Sequence, residues 1–370
     1  MNHNNKIKIV ICCKDLESRG GVANFYRVLS SNWNYPQINL KFHEVGSPHK
    51  VYNVRKKRYF GYILDSFKQI VRFYGFLKKE KPDKVIVNPS LIPIPIIRDG
   101  IYLLIAKKLN IKVITFIRGW RENFLSSKWI YRMYFLKIFK HSGNFIVLAN
   151  SFKDELQKYF PEKPIEVMYT TYDDREILPR NTKTESKIKM VYISRVSKEK
   201  GFFVLLNVMK ELINKGIHNL VLNVFGHFVD QNMEREVSVF LNENPNVKQI
   251  INFHGFVDGT KKYQALADSH LFVLPSYKEG CPNSVIEATA AGCFVIATNV
   301  GAIPEIVKDG FNSIIIKPKN NRELESAITK FCENKNTYLQ NCSSNREKAK
   351  QKFDILAINK KIAEITTRDL

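Results

Sequence analysis

The stretch LFVLPSYKEGCPNSVIEATAAGCFVIATNVGAIPEIVKDGFNSIII, residues 271–316, decides the fold. Leu271 to Leu274 is a short apolar run with no alternation, the pattern of a strand buried on both faces. A loop with Gly280 and Pro282 follows, then a helical run through Val285, Ile286 and Ala288. Asn283 and Ser284 are candidate caps for that helix. The small residues from Ala288 to Gly292 let it pack closely on a sheet. Phe294 to Thr298 and Ser313 to Ile316 are two more strands of the same buried kind. Strands separated by helices and short loops specify a parallel α/β sheet.

The same alternation extends in both directions. Met190 to Ile193, Leu220 to Phe225 and Ile250 to His254 complete one series of strands. A separate series begins at the N-terminus with Lys6 to Cys12, then Gly20, Gly21 and the amphipathic run Val22 to Ser31. It continues through Lys84 to Asn88, Lys112 to Ile117 and Asn144 to Leu148. Each series is long enough for its own open sheet, and 370 residues exceed one ordinary core. The expected organisation is a first domain over 1–170, a linker over 171–187 rich in Thr, Asp, Arg, Asn and Pro, and a second domain over 188–344. The remainder, 345–370, is expected as one C-terminal helix packing back on the first domain.

The chain carries 44% hydrophobic and 25% charged residues, a globular balance. No apolar run reaches the roughly 18 residues of a membrane-spanning helix. Leu91 to Ala106 comes nearest and is interrupted by Pro93, Pro95, Arg98, Asp99 and Gly100. The N-terminal apolar run is too short for a secretory signal. Six cysteines without CxxC or zinc spacing are expected as buried thiols in a reducing compartment. The net charge is +23, and residues 1–170 hold +18 of it. Such an excess suits an anionic partner, either lipid headgroups or nucleic acid.

Two constellations carry chemistry. In YISRVSKEKG, Arg195 and Lys200 lie between a strand ending near Ile193 and a helix starting near Gly201. A helix N-terminus already favours anions, and a fork-shaped Arg with a compact Lys can neutralise a diphosphate. In SYKEGCPNSVIEATAAG, Glu279 occupies the loop and Glu287 the helix after it. Flanked by Val285, Ile286 and Ala288, Glu287 is poorly suited to an open surface. A carboxylate there can accept two hydrogen bonds from adjacent ribose hydroxyls.

Together these residues resemble the retaining glycosyltransferase family 4. The likeness runs from about Lys189 to Ile316. It includes Arg195, Lys200 and Gly201, the Gly226 turn, INFHGFV at Ile251 to Val257, the E-x7-E pair Glu279 and Glu287, and NVGAIPEIV followed by a DG turn. The resemblance implies the GT-B architecture, two Rossmann-like domains facing across a cleft that holds a nucleotide sugar. It assigns Arg195 and Lys200 to the donor diphosphate, Glu287 to the ribose and Glu279 to the donor sugar. It places the backbone of Gly280, Cys281, Pro282, Asn283 and Ser284 against sugar and phosphate, Gly20 and Gly21 facing the phosphates, and Phe256 beside the base. One departure is Arg118, in TFIRGWREN, at the point where the family commonly carries a histidine.

The resemblance implies a UDP- or GDP-linked donor that is substrate rather than cofactor, and a glycan acceptor, expected to be lipid-linked, in bacterial surface polysaccharide assembly. No Asp-x-Asp pair occurs, so no metal is expected. Epimerases and phosphorylases share the fold, and fold alone does not separate them. No nucleic-acid-binding motif accompanies the charge, so nucleic acid is not an expected partner. Two segments, Arg55 to Lys79 and Ser127 to His141, mix cations with large apolar side chains. They point to an anionic membrane surface, with the protein cytoplasmic and peripheral on the inner face of the cell membrane.

Overall fold

A computed structural model describes residues 6–18, 20–45, 59–120, 129–180 and 187–368, with the side chains of 59–63, 93 and 94 excepted. The chain divides into two compact units, Met1–Thr170 with Ile355–Leu370, and Thr171–Asp354. Each is an α/β layer structure.

In the first unit the strands are β1 (Ile7–Cys13), β2 (Ile38–Glu44), β3 (Lys84–Val87), β4 (Lys112–Ile117), β5 (Asn144–Val147) and β6 (Ile165–Val167). Their order across the sheet is β2-β1-β3-β4-β5-β6, all parallel. The helices are α1 (Gly21–Ser31), α2 (Tyr59–Glu80), α3 (Pro93–Lys108), α4 (Trp129–Phe139) and α5 (Asn150–Gln157). Crossovers between parallel strands are right-handed. The chain moves one way from β1 to β2 and the other way from β2 through β3 and β4 to β5, so α2, α3 and α4 share one face of the sheet and α1 lies on the other. Both faces are covered, which is why β3 is buried along its whole length.

β2 and β6 were not among the expected strands. β2 reads INLKFHE, half-exposed at the sheet edge, and takes its place through full register with β1, from Ile7 opposite Ile38 to Cys13 opposite Glu44. β6 has three residues, too few to show a pattern. On β2, His43 packs against the rings of Phe73 and Phe76, 5.2 and 4.8 Å between centroids. Burial pulls its imidazole from 6.5 down to about 4. Between those values the unfolded chain binds a proton that the folded chain refuses, so stability falls as pH drops from 6.5 towards 4. Melting temperature followed over that window should show the slope, and His43→Phe should flatten it.

The second unit holds β7 (Ile188–Ile193), β8 (Leu220–Phe225), β9 (Ile251–Gly255), β10 (Leu271–Leu274), β11 (Phe294–Thr298) and β12 (Ser313–Ile316), ordered β12-β11-β10-β7-β8-β9 and all parallel. Its helices are α6 (Phe202–Asn214), α7 (Gln231–Glu243), α8 (Pro245–Lys248), α9 (Gly259–Ala267), α10 (Asn283–Ala290), α11 (Ile303–Ile306), α12 (Asn321–Glu333), α13 (Lys335–Asn341) and α14 (Asn345–Phe353). Local chemistry fixes the ends of several. Asp230 accepts a hydrogen bond from the N–H of Met233 at 2.8 Å, and Asn320 one from Glu323 at 3.1 Å, each capping its helix.

Of the stretch 171–187 read as linker, residues 171–180 belong to the second unit, and 181–186 lie outside the described residues. Thr171 donates its hydroxyl to the carbonyl of Phe353 at 2.9 Å. The buried carboxylate of Asp174 accepts from Arg346 at 3.1 Å, and its N–H donates to Asp354 at 2.9 Å. These long-range bonds leave no trace in local composition. Within the C-terminal stretch 345–370, the described residues form two helices rather than one. α14 ends at Phe353, Asp354 is extended at φ −62° and ψ 149°, and α15 (Ile355–Thr367) starts afresh in the first unit. In that unit the side-chain amide of Asn359 donates to the carbonyl of Asn32 at 2.6 Å. Four cysteines are buried, two half-buried, and all six are free thiols.

Candidate functional site

In the second unit the chain runs from β7 through β8 to β9 in one direction, then returns to β10 on the opposite side of β7. The loops leaving β7 and β10 therefore diverge. In open α/β sheets ligands bind in the crevice that such a switch opens beyond the strands' C-terminal ends. Arg195 and Lys200 follow β7, and Glu279 follows β10.

The two loops are tied directly. Lys200 Nζ lies 2.7 Å from Glu279 Oε1, with both side chains largely buried, and the Ser276 hydroxyl donates to the same oxygen at 2.7 Å. The N–H of Tyr277 donates to the carbonyl of Glu199 at 2.9 Å. Arg195 is exposed, and its carbonyl accepts from the phenol of Tyr192 at 2.9 Å. Gly301, after β11, lies directly beneath the Glu279–Gly280 backbone. A Cβ on it would sit 2.4 Å from the Glu279 carbonyl oxygen, and the adjacent Ala302 N–H donates to Gly280 at 2.8 Å.

Gly201 decides whether the Lys200 loop can form at all. Its φ is +71°, and an added Cβ would lie 1.9 Å from the Pro275 carbonyl oxygen. Left-handed backbone costs a non-glycine residue about 1–2 kcal/mol, and overpacking about 1–3 more. Gly201→Ala should therefore destabilise the second unit by about 3 kcal/mol, measured by urea unfolding. The same change at Gly216, where φ is +82° and the space is open, should cost about 1–2.

Glu287 is the fifth residue of α10 and is 2% exposed. Lys262 of α9 places its Nζ 2.7 Å from Glu287 Oε1. Sequence reading missed Lys262 because it precedes its partner by a helix, a strand and a loop. It also missed Ser276. Asn283 and Ser284, expected as side-chain caps, are instead the first two residues inside α10, and Pro282 holds the cap position without a side-chain capping hydrogen bond. The loop Gly280–Ser284 therefore leads into a helix start whose dipole favours negative charge. Phe256 follows β9 and is 44% exposed, its ring 6.3 Å from that of His227. Within this unit Arg195, Lys200, Phe256, Glu279 to Ser284 and Glu287 all gather at the C-terminal ends of the strands.

The other predicted residues belong to the first unit. Gly20 has φ +121° and precedes α1, whose first residue is Gly21. Among the described residues no atom crowds a Cβ at Gly20, so backbone conformation rather than space calls for glycine. Arg118 follows β4. Its guanidinium lies 3.7 Å from the ring of Phe25 on α1, 4.9 Å from Phe116 and 5.3 Å from Tyr26. That stacking holds a cation over the helix that Gly20 and Gly21 begin.

Residues 173–351 match the family of glycosyl transferases group 1, a stretch lying within the second unit. An uncharacterized glycosyltransferase of Methanocaldococcus jannaschii, MJ1069, is 25% identical over 211 residues, 54% of this chain and 52% of that one. The capsular polysaccharide biosynthesis glycosyltransferase CapM of Staphylococcus aureus is 28% identical over 163 residues, 44% of this chain and 41% of CapM. The chain thus spans about half the length of the curated relatives it matches. Among solved structures, Alr3699/HepE of Anabaena, in complex with UDP, superposes with a TM-score of 0.76 at 14% identity over 97% of this chain and 99% of that one. The chain accordingly has the two-unit GT-B fold, and residues 173–351 of its second unit match the glycosyl transferases group 1 family.

Proposed function

We propose that the chain is a retaining glycosyltransferase. It moves a sugar from a UDP- or GDP-linked donor to a glycan acceptor, lipid-linked, in bacterial surface polysaccharide assembly. The observation that carries this reading is the Lys200–Glu279 pair at the switch point between β7 and β10, with the buried Glu287 in the helix that follows the Glu279 loop. In the proposed reaction the acceptor hydroxyl attacks the anomeric carbon on the face from which the diphosphate departs. The carbon–oxygen bond to the diphosphate breaks as the new glycosidic bond forms, and the acceptor proton passes to a departing phosphate oxygen. No protein base is needed. Charge grows on the diphosphate, and Arg195 and Lys200 stabilise it there. Lys200 has three N–H donors, so it can keep Glu279 while reaching a phosphate oxygen. Glu287 takes the ribose hydroxyls, Glu279 and the Gly280–Ser284 backbone face the sugar, and Phe256 lies beside the base. Gly20, Gly21 and Arg118 of the first unit are assigned to the donor by the family resemblance alone. Two cations in place of a divalent ion make the reaction metal-independent. CapM, by its name, works in capsule synthesis, and HepE was solved with UDP; both support the class of reaction and donor. The place of work is the cytoplasmic face of the cell membrane. No described helix is long and apolar enough to cross a membrane.

The test is release of nucleoside diphosphate from UDP- and GDP-sugars with lipid-linked glycan acceptors, with the anomeric configuration of the product read by NMR. Retention of configuration and full activity after chelation are expected; inversion or strict metal dependence contradicts the mechanism. Glu287→Gln should chiefly raise KM and Glu279→Gln chiefly lower kcat, because one holds the donor and the other meets the reacting sugar.

A further inference from the structure

The first unit carries an outer surface that its own packing does not explain. Fifteen large hydrophobic side chains are exposed among the described residues, and nine of them lie on α2, α3 and α4. These three helices share one face of the sheet, with α3 packed against both neighbours. The close approach of α3 and α4 is set at Gly100, where a Cβ would meet the Tyr134 hydroxyl at 2.5 Å, and that hydroxyl donates to the carbonyl of Ile97 at 2.8 Å.

On α2 the exposed positions are Leu64, Phe67, Val71 and Tyr74. The spacing of three, four and three residues makes one continuous stripe. Phe73 and Leu77, on the other side of the helix, are buried against the unit. On α4 the outward residues are Trp129, Ile130 and Met133, while Phe135 and Phe139 face inward. On α3 they are Ile97 and Leu104. Each inward face is thus already satisfied by the core, and the outward apolar stripes are additional. Phe67 is 64% exposed and Trp129 71%.

Cations interleave with these stripes. Lys68 and Arg72 adjoin Phe67 and Val71 and are exposed, as are Lys108 on α3 and Lys137 on α4. Lys78 lies 4.7 Å from the ring of Tyr74. Acidic groups do not offset them. Asp99 is buried and paired with Arg98, Glu80 is paired with Lys41, Asp65 is half-buried, and α4 has no acidic residue. Lysine is depleted from the core of protein–protein interfaces, whereas aromatic bodies with Lys and Arg suit the headgroup boundary of a bilayer.

We propose that the outer face of α2, α3 and α4 is a docking surface for an anionic lipid bilayer, with Phe67, Val71 and Trp129 entering the headgroup layer and the flanking cations lying on anionic lipid. It extends the membrane side of the proposed function by naming the surface, and it requires nothing of the sugar chemistry. Residues 55–58 and 127–128 of the two segments singled out in the sequence lie outside the described residues, and the surface stands without them.

The test is co-sedimentation of the full chain with phosphatidylcholine vesicles, with and without phosphatidylglycerol. Wild type should pellet only with the anionic vesicles and be released by salt. Lys68→Gln with Arg72→Gln should weaken partitioning about 25-fold, at about fivefold per cation. Lys330→Gln with Lys348→Gln, the same charge removed from the second unit, should change it little. Phe67→Ser with Trp129→Ser should weaken it at least about tenfold. The blue shift of tryptophan emission on binding should be lost in Trp129→Phe. Each variant alters exposed side chains, so melting temperature and its response to UDP and GDP should match wild type, which separates failure of the surface from failure of the donor site. The proposal is overturned if wild type stays in the supernatant with anionic vesicles at low salt. Equal binding to neutral vesicles, or equal loss in the second-unit variant, also overturns it. A dimer in solution that Phe67→Ser with Trp129→Ser dissociates, without vesicle binding, assigns the face to a second copy instead.

Discussion

Replacing Lys200 by alanine is expected to lower turnover about a hundredfold while the chain stays folded. A charge-assisted hydrogen bond to phosphate is worth about 1.5–3 kcal/mol, roughly 10- to 150-fold in rate. The upper part of that range applies because the change removes two effects together. The departing diphosphate loses a cation, and Glu279, 2.7 Å from Lys200 Nζ, is left as an uncompensated negative charge beside it. Arg195→Ala should cost about tenfold, because an exposed guanidinium acts through more solvent. Lys200→Ala with Glu279→Gln should recover part of the loss, since the stranded charge goes with the substitution. Steady-state kinetics with the best donor settle it. Wild-type turnover in Lys200→Ala removes this loop from the reaction.

The largest effect on stability is expected at a residue with no proposed contact to substrate. Lys262→Met leaves the carboxylate of Glu287, 2% exposed, without its cation. Breaking one side of a buried ion pair costs about 3–5 kcal/mol, equivalent here to a fall in melting temperature of roughly 10 °C. Glu287→Gln in the Lys262→Met background should restore most of it, because a neutral amide needs no counter-charge. Thermal unfolding of the four proteins gives the coupling energy. A Lys262→Met variant that melts with wild type would mean that Glu287 is not held as an ion pair.

The contrast between these residues explains how much was legible in the sequence. Strand Leu271–Leu274 was readable to the residue, because a strand buried on both faces must be apolar throughout. Leu220–Phe225 was readable as well, with alternate residues fully buried along an apolar run broken only by Asn223. Edge strand β2 was not, because its environment is half solvent and its register comes from β1. Lys200 and Glu279 were legible as separate loop residues with the right chemistry. Their contact follows from strand order, which places β10 beside β7 across a crossover that local sequence does not encode. Lys262 and Ser276 carried no signal, since a counter-ion can come from any neighbouring element. The outward stripe Leu64, Phe67, Val71 and Tyr74 has the period of a core-facing helix, and only burial reveals that it faces solvent.

In the proposed function the second unit holds a nucleoside diphosphate through Lys200, Arg195 and Glu287. Melting temperature in the presence of UDP, GDP and their sugar conjugates tests it most directly, because a ligand at a hundred times its dissociation constant adds about 2.7 kcal/mol of stability. UDP or GDP is expected to raise the melting temperature of wild type, more than other nucleoside diphosphates do, and Lys200→Ala and Glu287→Gln are expected to lose most of the shift. A wild-type protein whose melting temperature is unmoved by every nucleoside diphosphate and nucleotide sugar would contradict it.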